Sequence, residues 1–346
     1  MMADGSRRHV FGPVRPAAWL TARRLDRLPD TLVFHARDKL ATGLGKGFFR
    51  LLGAFAGHVA QAGWGVEIVE FSAGGQDLAV ENPRHLHVFM DDRPVYAPNA
   101  VHSVPSYLRG FWYFDEIGSR NNSLQRLRRF DPRPMSGEWA KAFHAGLAER
   151  FIACNQSKFP QADPGSEVVQ PGCLAFFAQD FRMPRYHRHH MTVTRMIEAA
   201  IAVKGQRPLY IKPHPNQTLQ ETEVLAQYHA PGSGVHVTHA SIHDLLAAAD
   251  CALTLTSAVG FEAFVHRKPV VLGGQTDFGQ NAITLTDPAG LGRAIEAAMT
   301  RDWPYEKFLV WFLRQNCLED TPASLPQVLE RLARKGFFFS GAPAFY

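Results

Sequence analysis

The sequence is poor in cysteine, and its few cysteines lie far apart. Among 346 residues there are four cysteines and no CxxC pair, which excludes both a zinc ribbon and a disulfide framework. Widely spaced free thiols are typical of a reducing compartment, so we expect a cytoplasmic protein. Long hydrophobic runs are also missing, because no stretch of about 18 apolar residues occurs that could span a membrane. Prolines and arginines interrupt the apolar N-terminal residues, so we expect no signal peptide.

Positive charge is only slightly in excess. The 37 Lys and Arg residues outnumber the 32 Asp and Glu residues, which gives a net charge of +5 and a pI near 9.1. This excess favours anionic partners such as a nucleotide, a phosphorylated glycan or a lipid headgroup. Acidic residues are interspersed and no RNA- or DNA-binding motif occurs, so nucleic acid is not an expected partner. Peripheral association with the inner membrane stays open, because the basic N-terminus and the ending GFFFSGAPAFY could touch lipid.

Strand and helix signals alternate in the first half of the chain. An apolar strand at 31–36, a glycine-bearing loop at 43–47, a helix at 48–62 and a strand at 65–71 predict a βαβ unit. Two more short apolar segments of strand length follow, HLHVFM and RFIACN, with an irregular aromatic stretch between them.

The alternation restarts after a turn-rich stretch near residue 165. Helical segments separate the apolar runs CLAFFAQ, PLYIK, GVHVT, CALTLT and PVVLGG, a pattern typical of a parallel sheet covered on both faces. We therefore predict an α/β fold of two doubly wound, Rossmann-like domains, 1–165 and 166–302. The remaining residues, 303–346, are predicted as helices that cross back onto the first domain.

The first polar group of the second half follows the strand PLYIK. Ligands of parallel sheets bind at the carboxyl ends of the strands, where helix N-termini point their N–H groups outward. Pro213 and Pro215 restrict the backbone on both sides of His214, which suits an imidazole that must meet an anion at a fixed distance. Lys212 adds a positive charge beside it.

A second polar group opens the helix that follows CALTLT. Thr256 and Ser257 are suited to cap this helix and to leave its positive end facing a ligand. Gly260 would allow a ligand to approach closely, and Glu262, one turn into the helix, can reach the hydroxyl pair of a ribose. Each residue also has a structural interpretation, because helices need caps and turns need polar residues. Their joint placement at strand ends favours a nucleotide site.

These segments resemble a known family. KPHP followed by IHDLLAAADCALTLTSAVGFEAFVHRKPVVLGG resembles the capsule polysaccharide biosynthesis family and, within it, the retaining β-Kdo glycosyltransferases that use CMP-Kdo. The resemblance covers roughly 170–295 and, more loosely, GFWYFDEIGSRNNS at 110–123. It implies a GT-B architecture, in which two Rossmann-like domains face each other across a cleft and the C-terminal one holds the sugar nucleotide. The HP and Ser/Thr motifs also recur in bacterial sialyltransferases, which use another CMP-sugar.

The resemblance implies catalytic roles for two carboxylates. Asp180 in AQDFR would be the nucleophile that forms a glycosyl adduct. Glu116 in WYFDEIG, or its neighbour Asp115, would deprotonate the acceptor hydroxyl from the N-terminal domain. The implied acceptor is a glycan or glycolipid of a bacterial surface polysaccharide.

The resemblance also implies how the donor is held. His214, Lys212 and the helix end at Ser257 would stabilise the departing CMP phosphate without a metal or another cofactor. The loop just after Asp180 would offer Arg182, Arg185 or Arg188 to the donor carboxylate.

Two further motifs are a glycine-rich segment, GLGKG, and a histidine-rich one, RYHRHH. GLGKG lacks the GxxxxGK[ST] spacing of a phosphate loop, but the equivalent loop of a GT-B N-terminal domain lines the cleft, so Gly45, Lys46 and Gly47 are expected to contact donor or acceptor. RYHRHH crowds three histidines together without a carboxylate or cysteine at ligand spacing, so we predict no metal site.

Two other functions remain open at this point. A CDP-alditol phosphotransferase of the teichoic-acid type shares the GT-B fold and an HP-like motif but needs no carboxylate nucleophile. A non-catalytic nucleotide- or glycan-binding relative would keep the donor site without turnover.

Overall fold

The chain forms two α/β units. The computed structural model describes residues 10–25, 27–72, 77, 80–179, 181 and 188–339. Unit 1 consists of Met1–Ser106, Gly110–Leu127 and Asn316–Tyr346, and unit 2 consists of Tyr107–Arg109 and Arg128–Gln315.

Unit 1 is built on a parallel sheet of five strands, in the order β1-β3-β2-β4-β5. The strands are β1 (Val14–Arg15), β2 (Thr31–Ala36), β3 (Gly65–Glu70), β4 (Leu86–Phe89) and β5 (Ala100–His102). Helices α1 (Ala22–Leu25), α2 (Asp38–Gly45) and α3 (Arg50–Gln61) connect the first three. All six residues of β2 are buried, as expected for a central parallel strand, and the predicted βαβ unit is confirmed.

The core of unit 1 also takes in the end of the chain. Leu51 and Phe55 of α3 pack against Phe34 and Ile68 of the sheet, and Leu332 joins the same cluster. The elements that complete the unit are β6 (Phe111–Tyr113), its antiparallel partner β15 (Cys317–Glu319), and the last helix, α11 (Leu325–Ala333).

Unit 2 is built on a second parallel sheet, of six strands. The strands are β7 (Cys173–Phe177), β9 (Leu209–Lys212), β10 (Val235–Val237), β11 (Ala249–Thr254), β12 (Val270–Leu272) and β14 (Ile283–Thr284). The helices are α4 (Gly137–Ala148), α5 (Val193–Val203), α6 (Leu219–Ala226), α7 (Ile242–Ala248), α8 (Ala258–Val265), α9 (Leu291–Thr300) and α10 (Tyr305–Val310). The order β10-β9-β7-β11-β12-β14 confirms the predicted doubly wound sheet. A short antiparallel pair, β8 (Arg188–His189) with β13 (Gly274–Gln275), lies beside it.

The segment RFIACN is helical rather than extended. Helix α4 continues through a π-helical turn, Glu149–Ala153, and ends at Asn155, which is left-handed with φ 49°. Phe151 is buried while Ala153 is exposed, so burial follows the helical period. The apolar run was mistaken for a strand because it is too short to show which period it follows.

The chain passes between the two units at other positions than the sequence suggests. The chain passes from unit 1 to unit 2 at residues 127/128, whereas the turn-rich stretch near 165 placed the passage later. Helix α4 belongs to unit 2 because it packs against α10 and α8. The chain returns to unit 1 at Asn316, so α10 stays with unit 2 and only the segment from β15 onward crosses back.

Candidate functional site

The strand order of unit 2 defines where a ligand is expected. The chain begins the sheet with β7, adds β9 and β10 on one side, and then returns to add β11 on the other side of β7. The carboxyl ends of β7 and β11 therefore form a topological switch point, which is where open α/β sheets bind ligands. Residues 178–181 follow β7 and residues 255–257 follow β11.

Gln179 joins the two strand ends at this switch point. Its Oε1 accepts a hydrogen bond from the Thr256 backbone N–H at 2.6 Å, and its Nε2 donates to Thr256 Oγ1 at 3.2 Å. His189 Nε2 lies 2.8 Å from the same hydroxyl. Three polar side chains from β7, β8 and β11 thus converge on one point.

The histidine of the KPHP motif is tied into the same network. Gln217 Oε1 accepts from the His214 backbone N–H at 3.0 Å, and Gln217 Nε2 donates to the Gln179 carbonyl at 3.3 Å. His214 Nδ1 accepts from the Asn216 N–H at 3.1 Å, so the neutral imidazole carries its proton on Nε2. His214 and Thr256 therefore belong to one edge of the sheet, as the sequence predicts.

Lys212 has a structural task in addition to its charge. Its half-buried ammonium donates to the backbone carbonyls of His239 at 3.2 Å and Ala240 at 2.6 Å. Burial lowers its pKa, and the charge of Glu167 opposes that shift. An ammonium has three hydrogens, so a ligand anion would use the third.

Ser257 caps α8, as predicted. The structure gives a packing reason for the glycine at position 260. Ser257 Oγ accepts from the Val259 N–H at 3.3 Å. A Cβ on Gly260 would lie 3.3 Å from the Thr254 side chain and 3.4 Å from that of Phe278. The glycine therefore lets the helix pack on the sheet, and the close approach of a ligand at Gly260 stays a prediction.

Glu262 is enclosed, with one oxygen unused. The residue is 3% exposed, and its Oε1 accepts from Ser157 Oγ at 3.0 Å. Its Oε2 is buried without a hydrogen-bond partner among the described residues. Burial raises the pKa of this carboxyl to about 8, against the effects of Ser157 and Lys158. Buried oxygens without a partner are rare in native proteins, so this atom marks a place where a ligand donor would be favourable.

Two predicted residues, Asp180 and Arg182, lie outside the described residues. The residue between them is anchored, because the Phe181 N–H donates to Glu221 Oε1 at 2.9 Å. Glu221 also completes a capping box with Thr218 at the start of α6. Phe181 is therefore fixed to the helix that follows the KPHP motif.

In unit 1 the two predicted bases differ in what they contact. Asp115 Oδ1 accepts from the Ile117 and Gly118 N–H groups at 3.0 and 3.2 Å, and its Oδ2 accepts from the Leu124 N–H at 2.9 Å. These bonds make Asp115 the organiser of a turn. Glu116 is half-buried beside it and is the better candidate for a base.

The glycines of GLGKG form a helix end rather than a loop after a strand. Gly45 is the last residue of α2 and Lys46 its C-cap. The N–H of Gly47, at φ 67°, donates to Leu44 O, and the N–H of Phe48 donates to Gly43 O, which is the Schellman geometry that favours glycine. Helix capping accounts for the glycines of this motif, and the contact of Gly45, Lys46 and Gly47 with donor or acceptor stays a prediction.

The described part of the chain contains neither a metal-binding cluster nor a membrane-spanning helix. No group of three or more His, Cys, Asp or Glu side chains there is arranged to hold a metal ion. No helix in that part is long and apolar enough to cross a membrane.

The sequence did not reveal Gln179 or His189 as site residues. Gln179 is a common residue type in a strand-to-loop position, and its partner Thr256 is 77 positions away. The pairing of β7 with β11 in the sheet could have indicated that residues 179 and 256 lie close together, but it does not identify the hydrogen bond between their side chains.

The comparisons with known proteins agree with the fold. The family model of the capsule polysaccharide biosynthesis protein matches residues 180–299, and no curated protein matches the chain in sequence. Among solved structures, KpsC from Thermosulfurimonas dismutans, a beta Kdo 2,7 transferase, is 13% identical with a TM-score of 0.52 and is covered over 100% of its chain and 89% of this one. The beta Kdo 2,4 transferase of the same KpsC is 14% identical with a TM-score of 0.46, over 89% of its chain and 81% of this one.

These matches establish the fold and a resemblance over part of the chain. At such identities the structural likeness shows the fold, which is an α/β fold of the GT-B class. The predicted resemblance is confirmed, since the matched residues include α5 to α8 and the strand ends at Lys212 and Thr254. Over residues 180–299 the chain thus resembles the capsule polysaccharide biosynthesis family, on a glycosyltransferase-like fold.

Proposed function

We propose that the protein is a retaining glycosyltransferase that moves Kdo or a related ulosonic acid from a CMP-sugar to a glycan or glycolipid. The acceptor would belong to a bacterial surface polysaccharide, reached from the cytoplasmic side of the inner membrane. The hydrogen-bonded chain His214–Gln217–Gln179–Thr256 carries this proposal. It gathers donor groups at a switch point, and a phosphate is the ligand that such an edge with a helix N-terminus favours.

The CMP-sugar would be held by uncharged and cationic hydrogen-bond donors together. His214 Nε2–H and the N-terminal end of α8 at Ser257 would meet the phosphate, with Lys212 adding charge nearby. The orphan Oε2 of Glu262 would accept from the ribose hydroxyls. Arg182 would pair with the ulosonic carboxylate.

Transfer would then proceed in two displacements. In the first, the Asp180 carboxylate bonds to the anomeric carbon while the bond from that carbon to the CMP oxygen breaks, and CMP leaves with the electron pair. In the second, the acceptor oxygen bonds to the same carbon, Glu116 takes the hydroxyl proton, and the Asp180 carboxylate is released. Two inversions give retention. No metal is needed, because protein donors match the charge of a departing monophosphate.

The decisive experiment uses the donor without an acceptor. The protein is incubated separately with CMP-Kdo, CMP-sialic acid and CDP-glycerol, and its intact mass is measured. We expect a glycosyl adduct from CMP-Kdo that Asp180→Ala abolishes while CMP still binds. His214→Ala should weaken donor binding by at least about tenfold, since it removes a hydrogen bond to a charged group. His229→Ala, at an exposed histidine of unit 2, should change nothing.

Two results would contradict the proposal. Binding of neither CMP-sugar would remove the donor assignment. Phosphotransfer from CDP-glycerol that survives Asp180→Ala would favour the CDP-alditol phosphotransferase instead.

A further inference from the structure

A cavity of about 370 Å³ lies in unit 2 at the end of the sheet opposite the candidate site. It is formed where Pro269 leads into β12, where α9 ends, and where α10 begins. Its apolar wall includes Met299 and Trp303, and four charged residues surround it: Arg267, Arg301, Asp302 and Glu306. The volume is within the range of about 300–1,000 Å³ found for small-molecule sites.

Arg267 occupies a backbone position that normally favours glycine. It follows α8 at φ 53°, and its N–H donates to Phe264 O while the Lys268 N–H donates to Ala263 O. This is a Schellman ending, in which glycine avoids a cost of about 1 kcal/mol. The arginine places a guanidinium at the cavity, where Nε donates to Glu306 Oε1 at 2.9 Å and orients the remaining N–H groups.

Arg301 is held at the cavity by an aromatic ring. Its guanidinium carbon lies 4.3 Å from the centre of the Trp303 ring, and the Trp303 indole N–H donates to Ala298 O at 2.8 Å. Within the described part of the chain Arg301 forms no ion pair. Stacking therefore fixes a guanidinium fork that no carboxylate of the described residues occupies, a geometry suited to a carboxylate or phosphate.

The rim of the cavity also carries two acidic residues, which narrows the range of ligands that it could bind. The charge of Glu306 is matched by Arg267, whereas Asp302 is exposed and unpaired within the described chain. A carboxylate beside a guanidinium suits a molecule with both hydroxyl groups and an anionic group. We propose that this cavity is a second ligand site, which binds a sugar carrying a carboxylate or a phosphate. The sugar could be free or the anionic residue of a glycan.

Titration calorimetry with simple sugars tests this site. Glucuronate and glucose 6-phosphate are the probes, and glucose is the uncharged comparison. At least one acidic sugar should bind about tenfold more tightly than glucose, because a charge-assisted hydrogen bond is lost in glucose. A glucuronate-containing oligosaccharide distinguishes the two sources: tighter binding than glucuronate indicates a glycan, and equal or weaker binding indicates a free sugar.

Variants locate the binding. Arg301→Gln and Arg267→Gly should each weaken it by about tenfold or more, and Arg267→Gly should not unfold the protein, because glycine suits the left-handed position. Arg293→Gln, on the exposed side of α9, is the matched control and should bind normally. His214→Ala should also bind normally, which separates this site from the proposed donor site. Absence of binding by both acidic sugars, or wild-type affinity in both cavity variants, would overturn the proposal.

Discussion

The carboxyl of Glu262 offers the sharpest test of the site. Burial at 3% exposure with one orphan oxygen raises its pKa from 4.5 to about 8. The side chain is therefore mostly a neutral acid at pH 7 in the folded protein. Glu262→Gln keeps the shape and an acceptor for Ser157 but cannot ionise, so the comparison isolates the titration of this one group.

The sign of the effect follows from linkage. The folded-state pKa is raised, so the contribution of Glu262 to stability is fully present below pH 4.5 and is lost as pH rises through about 8. Each pH unit in this window costs about 1.4 kcal/mol. At pH 7 the wild-type protein should have lost up to roughly 3 kcal/mol relative to the glutamine variant. The difference between the two proteins should shrink toward zero near pH 4.5.

Urea unfolding of both proteins, followed by circular dichroism between pH 5 and pH 8, measures this difference. The histidines and other acids titrate in both proteins, so their effects cancel in the comparison. The 13C signal of the Glu262 carboxyl, identified as the one absent from the variant, gives the pKa directly. A difference in stability that does not depend on pH, together with a normal carboxyl pKa, would refute the reasoning.

Ligand binding extends the same test to function. A ribose diol donates hydrogen bonds, and such bonds favour the charged carboxylate. If Glu262 accepts from the diol, CMP binding at pH 7 should release a fraction of a proton. Calorimetry in two buffers of different ionisation enthalpy detects that release, and Glu262→Gln should abolish it. CMP binding with no proton release would remove the ribose assignment while leaving the buried acid itself unaffected.

Two further predictions concern other parts of the chain. In unit 1, burial lowers the pKa of His87 to about 3 and of His102 to about 4. The stability that the two neutral histidines contribute is present above pH 6.5 and is lost as pH falls, by up to roughly 2.7 kcal/mol per pH unit for the two groups. Urea unfolding at a series of acidic pH values measures this loss. In unit 2, a Cβ on Gly274 would lie 2.8 Å from Thr256 Cγ2, so Gly274→Ala should cost roughly 1–3 kcal/mol and weaken CMP binding. Gly146→Ala, which meets open space in α4, is its control and should not weaken CMP binding, and equal CMP affinity in both variants would contradict the prediction.

The fold was predictable where burial alone decides the structure. Strands such as Thr31–Ala36 and Cys173–Phe177 are buried along their whole length, so they are almost entirely apolar, Thr31 and His35 excepted, and are bounded by turn residues. Helix α2 was missed because its sequence, DKLATGLG, contains two glycines. Tertiary packing overrides that low propensity, since Ala41 and Leu44 belong to the core of unit 1.

The candidate site was predictable only in part. Ser257 could be identified because capping is a local rule, and His214 because two prolines flank it. Gln179 and His189 could not, because their roles come from hydrogen bonds between strands that are neighbours in space and distant in sequence. The environment of Glu262 depends in the same way on Ser157, 105 positions away.

The two sheets share a winding pattern but differ in the chemistry of their switch points, and this difference favours unit 2 as the donor-binding unit. In unit 1 the chain places β3 and β4 on the two sides of β2, in the order β1-β3-β2-β4-β5. There Arg37, after β2, forms an ion pair at 2.7 Å with Asp91, after β4, so the charges at the strand ends already neutralise each other.

The switch point of unit 2 has the opposite character. Gln179 and Thr256 join the strand ends there without opposed charges, and Ser257 opens a helix whose positive end faces the same edge. An arriving phosphate would have to displace an ion pair in unit 1, whereas in unit 2 it would meet a helix N-terminus and an imidazole donor. Because Gln179 and Thr256 carry no charge, whereas Asp91 already holds Arg37, the described strand ends favour unit 2 as the unit that binds a phosphate.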